Sequence, residues 1–284
     1  MHFIALMATL GLAAPAAKRD VLPTVVFTPG AWHGTWAFDT VRSQLETLGY
    51  PTEAVALPSV GNTNASVGVA EDAAALAAEL ATLTDAGKNV VMVCHSYGGV
   101  VASVAVEGFG FKDRSAAGLG NNGVIMLVYM TAFAAPAQTS LLDALGGEYL
   151  WWMSPDTTNE LTILFRLQGE FITAVNGSQV FYADVANETL VDEAVAALKP
   201  EPARIFSDDN TYAPWDNGVE VGFFFTEQDQ AIPLATQQSM ASQFPSGYVS
   251  YTMNSSHSPF LSMPEQVTEG VVLAATQGLV KMLL

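Results

Sequence analysis

The chain has 284 residues, half of them hydrophobic, which is enough for one substantial core. Its 10 basic and 28 acidic residues give a formal net charge of −18, and such a charge argues against nucleic acid or an anionic membrane surface as a partner, because both repel it. One cysteine excludes an intrachain disulfide, and its place in an apolar strand marks Cys94 as a small buried residue.

Residues 1–19 have the form of a processed segment. Phe3 to Ala13 is a short apolar run, followed by Ala14, Ala16 and Ala17 and then the dibasic pair Lys18-Arg19. The run is too short to span a bilayer and has the flanks of a secretory signal. Four sequons, at Asn64, Asn176, Asn187 and Asn254, fit the same extracellular compartment. The expectation is a secreted glycoprotein whose mature chain, residues 20–284, is a single domain. No later segment is long and apolar enough to cross a membrane.

From residue 21 the pattern alternates. Residues 21–28 read as a strand rich in β-branched residues, ending in Pro29-Gly30-Ala31-Trp32-His33-Gly34-Thr35-Trp36. Phe38, Val41, Leu45 and Leu48 have helical spacing, and Gly49 stops that helix. A short strand follows at 52–57, then an alanine-rich helix at 67–86. Residues 89–94 form a continuous apolar strand of the kind buried on both faces, and 97–107 a helix. Further strands are predicted at 123–129, 219–226 and 248–253, with helices near 234–244 and 265–283. This order implies an α/β domain with a mostly parallel, doubly wound sheet. The exception is 136–214, which shows helical fragments but no strand alternation. It reads as a helical insertion, a lid over one edge of the sheet. Its aromatic residues Trp151, Trp152, Phe165, Phe171, Phe181 and Tyr182 read first as packing groups, with contact to an apolar ligand as the functional alternative for a few of them.

The chemistry centres on Val90-Val91-Met92-Val93-Cys94-His95-Ser96-Tyr97-Gly98-Gly99. An apolar strand runs into a serine between small residues and then into a helix, the spacing of a nucleophile elbow with cysteine at the first glycine position. Small residues are expected there because strand and helix backbones nearly touch. A serine nucleophile needs a base, and the base an orienting acid. Of the four histidines, His2 lies in the leader, His95 adjoins Ser96 with its side chain directed away, and His33 sits in the first loop. His257, in a short loop after the last strand, is the base in the order Ser–Asp–His. Asp229, just past the strand at 219–226, is the acid, with Glu227 as the alternative. The oxyanion donors are the Tyr97 N–H and, from the first loop, the Ala31 N–H. Gly30, Trp32 and His33 of that loop, Phe133 before the insertion and Trp215 near its end are the candidate substrate-binding residues. No cluster of His, Cys and carboxylates has metal-ligand spacing, so neither a metal nor an organic cofactor is implied. No motif speaks to oligomeric state.

The first loop resembles the H-G-A-W-x-G-x-W signature of the α/β-hydrolase superfamily, in the branch of plant methyl esterases, hydroxynitrile lyases and small microbial esterases. His95-Ser96-Tyr97-Gly98-Gly99, Leu127 to Phe133, Asp229-Gln230-Ala231-Ile232-Pro233 and His257-Ser258-Pro259-Phe260-Leu261-Ser262 resemble further motifs of that branch, in order, over residues 22–284. Pro29 and Cys94 depart from its usual histidine and glycine, and neither change removes a catalytic atom. The branch's lyases use a first-strand threonine and a lysine after the catalytic histidine, where this chain has Val26 and Ser258. The resemblance therefore implies a serine hydrolase acting on a small, apolar carboxylic ester or lactone. The alternatives are a hydroxynitrile-lyase-like or cofactor-free C–C bond enzyme, or a non-catalytic ligand receptor, on the same fold. A dehalogenase would need an aspartate where Ser96 stands.

Overall fold

The computed structural model describes residues 22–156 and 170–283. The leader expected at 1–19 and Phe165 lie outside the described residues. In chain order the elements are β1 (Thr24–Thr28), α1 (Asp39–Thr47), β2 (Thr52–Ala54), α2 (Val69–Asp85), β3 (Val90–His95), α3 (Gly98–Ala105), α4 (Phe111–Ala116) and β4 (Val124–Met130). Then come β5 (Thr139–Ser140), α5 (Leu141–Ala144), β6 (Met153–Pro155), β7 (Phe171–Ala174), α6 (Gly177–Phe181), α7 (Glu188–Ala197), β8 (Glu201–Pro202), α8 (Arg204–Ser207) and β9 (Asp209–Asn210). The chain closes with β10 (Val221–Thr226), α9 (Leu234–Ala241), β11 (Val249–Met253), α10 (Pro259–Ser262) and α11 (Pro264–Lys281).

Six strands form one sheet in the order β11-β10-β4-β3-β1-β2, and every pairing is parallel. Parallel strands need helical crossovers, and these cover both faces. On one face Val26, Met92, Leu127 and Phe223 pack with Leu76 and Leu80 of α2 and Val100 and Val101 of α3. On the other, Val25, Val91, Val128 and Phe224 pack with Val41 and Leu45 of α1 and Val267 and Val271 of α11. Adjacent residues of a strand therefore serve opposite cores, which is why β3 is fully buried along its length and reads as a continuous apolar run. In α2 the same helical spacing puts Val69, Ala73, Leu76 and Leu80 inside, together with one carboxyl, Asp72.

The segment between β4 and β10 departs from the helical expectation. Besides short helices it holds a three-stranded antiparallel sheet, β6-β7-β8, and a two-stranded one, β5-β9. These strands have two to four residues, and two of them contain proline. A period-2 signal does not develop over so few positions.

Candidate active site

The carboxyl ends of β3, β1, β4, β10 and β11 converge, and the candidate residues sit in the loops just beyond them. Ser96 follows β3 directly. Its φ is 52°, a left-handed backbone that a serine adopts only where the surroundings hold it. They do so on three sides. The Ser96 carbonyl accepts hydrogen bonds from the Gly99 N–H and the Phe133 N–H, both at 3.0 Å. A Cβ on Gly98 would lie 2.5 Å from the Pro29 carbonyl oxygen, and one on Gly99 2.5 Å from that of Phe133. The two glycines are thus required by the loops after β1 and β4, which press on the turn, and not by contact between β3 and α3 as the motif suggested. Cys94 is tolerated two residues before the serine because its buried Sγ donates to the Val128 carbonyl at 3.2 Å within the sheet. Burial pushes that thiol well above its ordinary pKa, so it stays protonated and inert.

His257 follows β11. Its Nδ1 lies 2.7 Å from Oδ2 of Asp229, and both side chains are essentially inaccessible to solvent. Ionised carboxylate oxygens only accept, so Nδ1–H donates to Asp229. Asp229 is heavily coordinated. Oδ2 also accepts from Thr226 at 3.0 Å and from Thr131, while Oδ1 accepts from the Ala231 and Ile232 N–H groups at 2.7 and 2.8 Å. Burial works against its ionisation, but the charge and hydrogen bond of His257, with those donors, hold its pKa below the usual carboxylate value. Glu227 remains exposed on the surface, away from this pair.

His95 proves to be more than a neighbour of Ser96. Its Nε2–H donates to the His257 carbonyl at 2.9 Å, and its ring lies 4.6 Å from that of His257. Burial, reinforced by the neighbouring His257 and His33 imidazoles, lowers its pKa well below the ordinary value and keeps it neutral. Ser96 is therefore one residue removed from a side chain that touches the histidine loop.

The first loop wraps behind the serine. A Cβ on Gly30 would sit 2.7 Å from the Ser96 Cβ, so this backbone approaches the elbow as closely as glycine permits. Ala31, Trp32, Ser96, Tyr97 and Phe133 share one cleft with Leu141, Leu145, Trp152, Phe206 and Ile232, and among the described residues no charged side chain lines it. Two of the candidate binding residues lie elsewhere. His33 is enclosed by Trp36, His95 and Phe181. Its Nδ1–H donates to the Ala31 carbonyl at 2.7 Å, and its Nε2 accepts from the Tyr182 hydroxyl at 2.9 Å. Burial lowers its pKa to about 4, so it is a neutral structural group behind the cleft. Trp215 packs on Phe244 and Tyr129 and borders a separate surface hollow beside Lys112 and Lys281. Sequence reasoning missed Thr131 and Thr226, the hydroxyl partners of Asp229, and the cleft residues Leu141, Leu145 and Phe206. The threonines end β10 or follow β4, a placement that only strand register reveals. Of the insertion's tandem tryptophans, Trp152 faces the cleft and Trp151 is exposed. Among the described residues no group of three or more His, Cys, Asp or Glu side chains is arranged to hold a metal ion.

The arrangement offers a serine in the lining of an apolar cleft and an imidazole held by a buried carboxylate. Comparison with known proteins agrees with this architecture. The chain is 28% identical over 259 residues to an alpha/beta hydrolase, nvfD, of Aspergillus novofumigatus, covering 90% of this chain and 98% of that protein. It is 25% identical over 264 residues to methylesterase 1 of Arabidopsis thaliana, covering 86% and 92% respectively. A pyrethroid hydrolase from Sphingobium faniae has the same fold, with a TM-score of 0.67 at 21% identity over 89% of this chain and 97% of that one. The profile of the alpha/beta hydrolase family matches residues 25–269, and with the parallel sheet, the elbow after β3 and the loops just described, the chain belongs to that family.

Proposed function

We propose that the protein is a serine hydrolase that cleaves a small, apolar carboxylic ester or lactone through an acyl-enzyme. The observations that carry this reading are the buried His257–Asp229 pair, the strained Ser96 of the turn whose His95 side chain bonds the His257 carbonyl, and a cleft bordered by Ser96 that has no charged side chain among the described residues. In this reading His257 Nε2 takes the Ser96 proton as Oγ attacks the acyl carbon, and the N–H groups of Ala31 and Tyr97 stabilise the oxyanion. Asp229 holds the tautomer and offsets the imidazolium charge. His257 then protonates the leaving alkoxide. Water, deprotonated by the same nitrogen, releases the acid and regenerates Ser96. Trp32 and Phe133 form walls for the acyl or alcohol part. The relatives named methylesterase and pyrethroid hydrolase support an ester as the bond cleaved. The test is hydrolysis of a short-chain nitrophenyl ester by the wild type and by Ser96→Ala. The wild type should turn over, and the variant should lose a factor of about 10³ or more. Equal rates would reject Ser96 as nucleophile.

Export to the extracellular space belongs to the same proposal. It is supported by the form of residues 1–19 and by the exposure of Asn64, Asn176, Asn187 and Asn254. Expression in a eukaryotic secretory host should give medium-borne protein whose mass falls on treatment with an N-glycosidase. Retention in the cells with an unmodified mass would reject it.

A further inference from the structure

The first loop is held by the insertion through one peptide unit. Trp32 has φ 64°, a strained value for an aromatic residue. Its N–H donates to Oε2 of Glu201 at 2.7 Å, its carbonyl accepts from the Lys199 N–H at 3.1 Å, and its indole N–H donates to the Ile172 carbonyl at 3.0 Å. The Ala31 carbonyl, at the other end of the Ala31–Trp32 peptide, is held by His33. Glu201 is wholly buried. Its Oε1 lies 2.9 Å from the Ser59 Oγ, and that hydroxyl lies 2.6 Å from Oδ2 of Asp72. The same Oδ2 accepts from the Tyr97 hydroxyl at 2.8 Å, and the Ser59 N–H donates to Oδ1 at 2.9 Å. A continuous chain thus runs from Trp32 through Glu201, Ser59 and Asp72 to Tyr97. Its two ends adjoin the two proposed oxyanion donors, the N–H groups of Ala31 and Tyr97.

The chain has a definite proton count. The Ser59 hydroxyl has one hydrogen and two carboxyl oxygens beside it, so both contacts are satisfied only if one carboxyl is protonated. Asp72 accepts three donors and sits in the first turn of α2, where the helix dipole favours negative charge. Among the described residues, Glu201 has only the Trp32 N–H as a donor besides Ser59. The proton therefore belongs on Glu201, whose Oε1–H donates to Ser59 while Ser59 donates to Asp72. We propose that Glu201 is a positioning residue of the oxyanion hole, a protonated carboxyl that clamps the Ala31–Trp32 peptide and ties it through Ser59 and Asp72 to Tyr97. This rests on the esterase reading above.

Among the described residues, the titratable groups facing Glu201 are Asp72 from α2 and Tyr97 from the elbow, and neither supplies a positive charge. Burial, opposed in part by the Trp32 and Ser59 hydrogen bonds and reinforced by Asp72, pushes the Glu201 pKa up to about 8. Ionisation above that pH places two carboxylates around a single Ser59 hydrogen and loosens the clamp.

The experiment compares wild type, Ser96→Ala, Glu201→Ala and Glu201→Gln on the same nitrophenyl ester from pH 6 to 9.5. Glu201→Ala should lower kcat by about 10- to 100-fold with KM within about threefold, less than the loss from deleting an oxyanion donor outright. Glu201→Gln keeps a donor for Ser59 and an acceptor for Trp32, so it should recover most of that loss. It should also abolish the decline in kcat expected of the wild type above about pH 8. A Glu201→Ala enzyme with wild-type kcat and a lowered melting temperature would overturn the proposal, leaving Glu201 a purely structural group. If Glu201→Ala does not fold, the pH profile of Glu201→Gln decides: loss of the alkaline decline supports the clamp, and its retention overturns it. Hydrolysis that does not depend on Ser96 overturns both readings, whereas Ser96-dependent hydrolysis indifferent to Glu201 overturns this one alone.

Discussion

At the scale of the residue, the site depends on which proton sits where. His257 donates through Nδ1 to an ionised Asp229, and that ionisation is favoured by the six donors among the described residues that reach its two oxygens. Asp229→Asn preserves the shape but offers an amide that can donate to Nδ1, favouring the other tautomer. We expect kcat to fall by about 10³- to 10⁴-fold with the melting temperature little changed, and a loss below tenfold would show that the carboxylate does not set the tautomer. Glu201 makes a separate prediction about stability. Its folded-state pKa is raised from 4.5 to about 8, so between those values the folded chain keeps a proton that the unfolded chain has released. The unfolded state binds fewer protons, and stability therefore falls as pH rises through this window, by at most about 1.4 kcal/mol per pH unit, and levels off above it. Asp229, with a depressed pKa, loses its contribution only as pH drops below the ordinary carboxylate range, outside that window. Urea midpoints measured from pH 5 to 8 should decline less steeply in Glu201→Gln than in the wild type, and parallel profiles would show that Glu201 is ionised throughout.

At the scale of the element, the elbow is a contact among three loops, and glycine is what lets them meet. Gly99→Ala drives a Cβ to 2.5 Å from the Phe133 carbonyl oxygen, and that oxygen belongs to backbone and cannot swing away. The variant should lose about 1–3 kcal/mol of stability, the scale of overpacking, together with activity as β4's loop is displaced from Ser96. An unchanged midpoint would mean that the loops are not held against each other. The sequence was legible here in proportion to element length. The long apolar strand 90–95 and the helices 39–47 and 69–85 have clear periodicity, and they lie within two residues of where the pattern placed them. The insertion did not read because its strands are too short to show alternation, and their hydrogen bonds are made with partners far away in sequence. Glu201 is the sharpest case. A glutamate between two prolines reads as exposed loop, and only the fold shows it buried against Ser59 and Trp32, 142 and 169 residues away.

At the scale of the whole molecule, the parallel sheet brings loops after β1, β3, β4, β10 and β11 to one edge, and the insertion both roofs the cleft and holds the first loop. Local motifs singled out Ser96, His257 and Asp229 because each sits where a strand ends, and strand ends are visible in sequence. They misplaced Trp215 and His33, since an aromatic or a histidine near a loop has equal reason to pack as to line a cleft, and three-dimensional neighbours decide between the two. The same division separates what the chain's chemistry needs from what its core needs. The most direct test is the rate of nitrophenyl ester hydrolysis by the wild type and by Ser96→Ala, measured side by side at pH 7.5. The account predicts turnover by the wild type and a loss of about 10³-fold or more in the variant, with the fold intact by circular dichroism. Equal rates in the two proteins would contradict it.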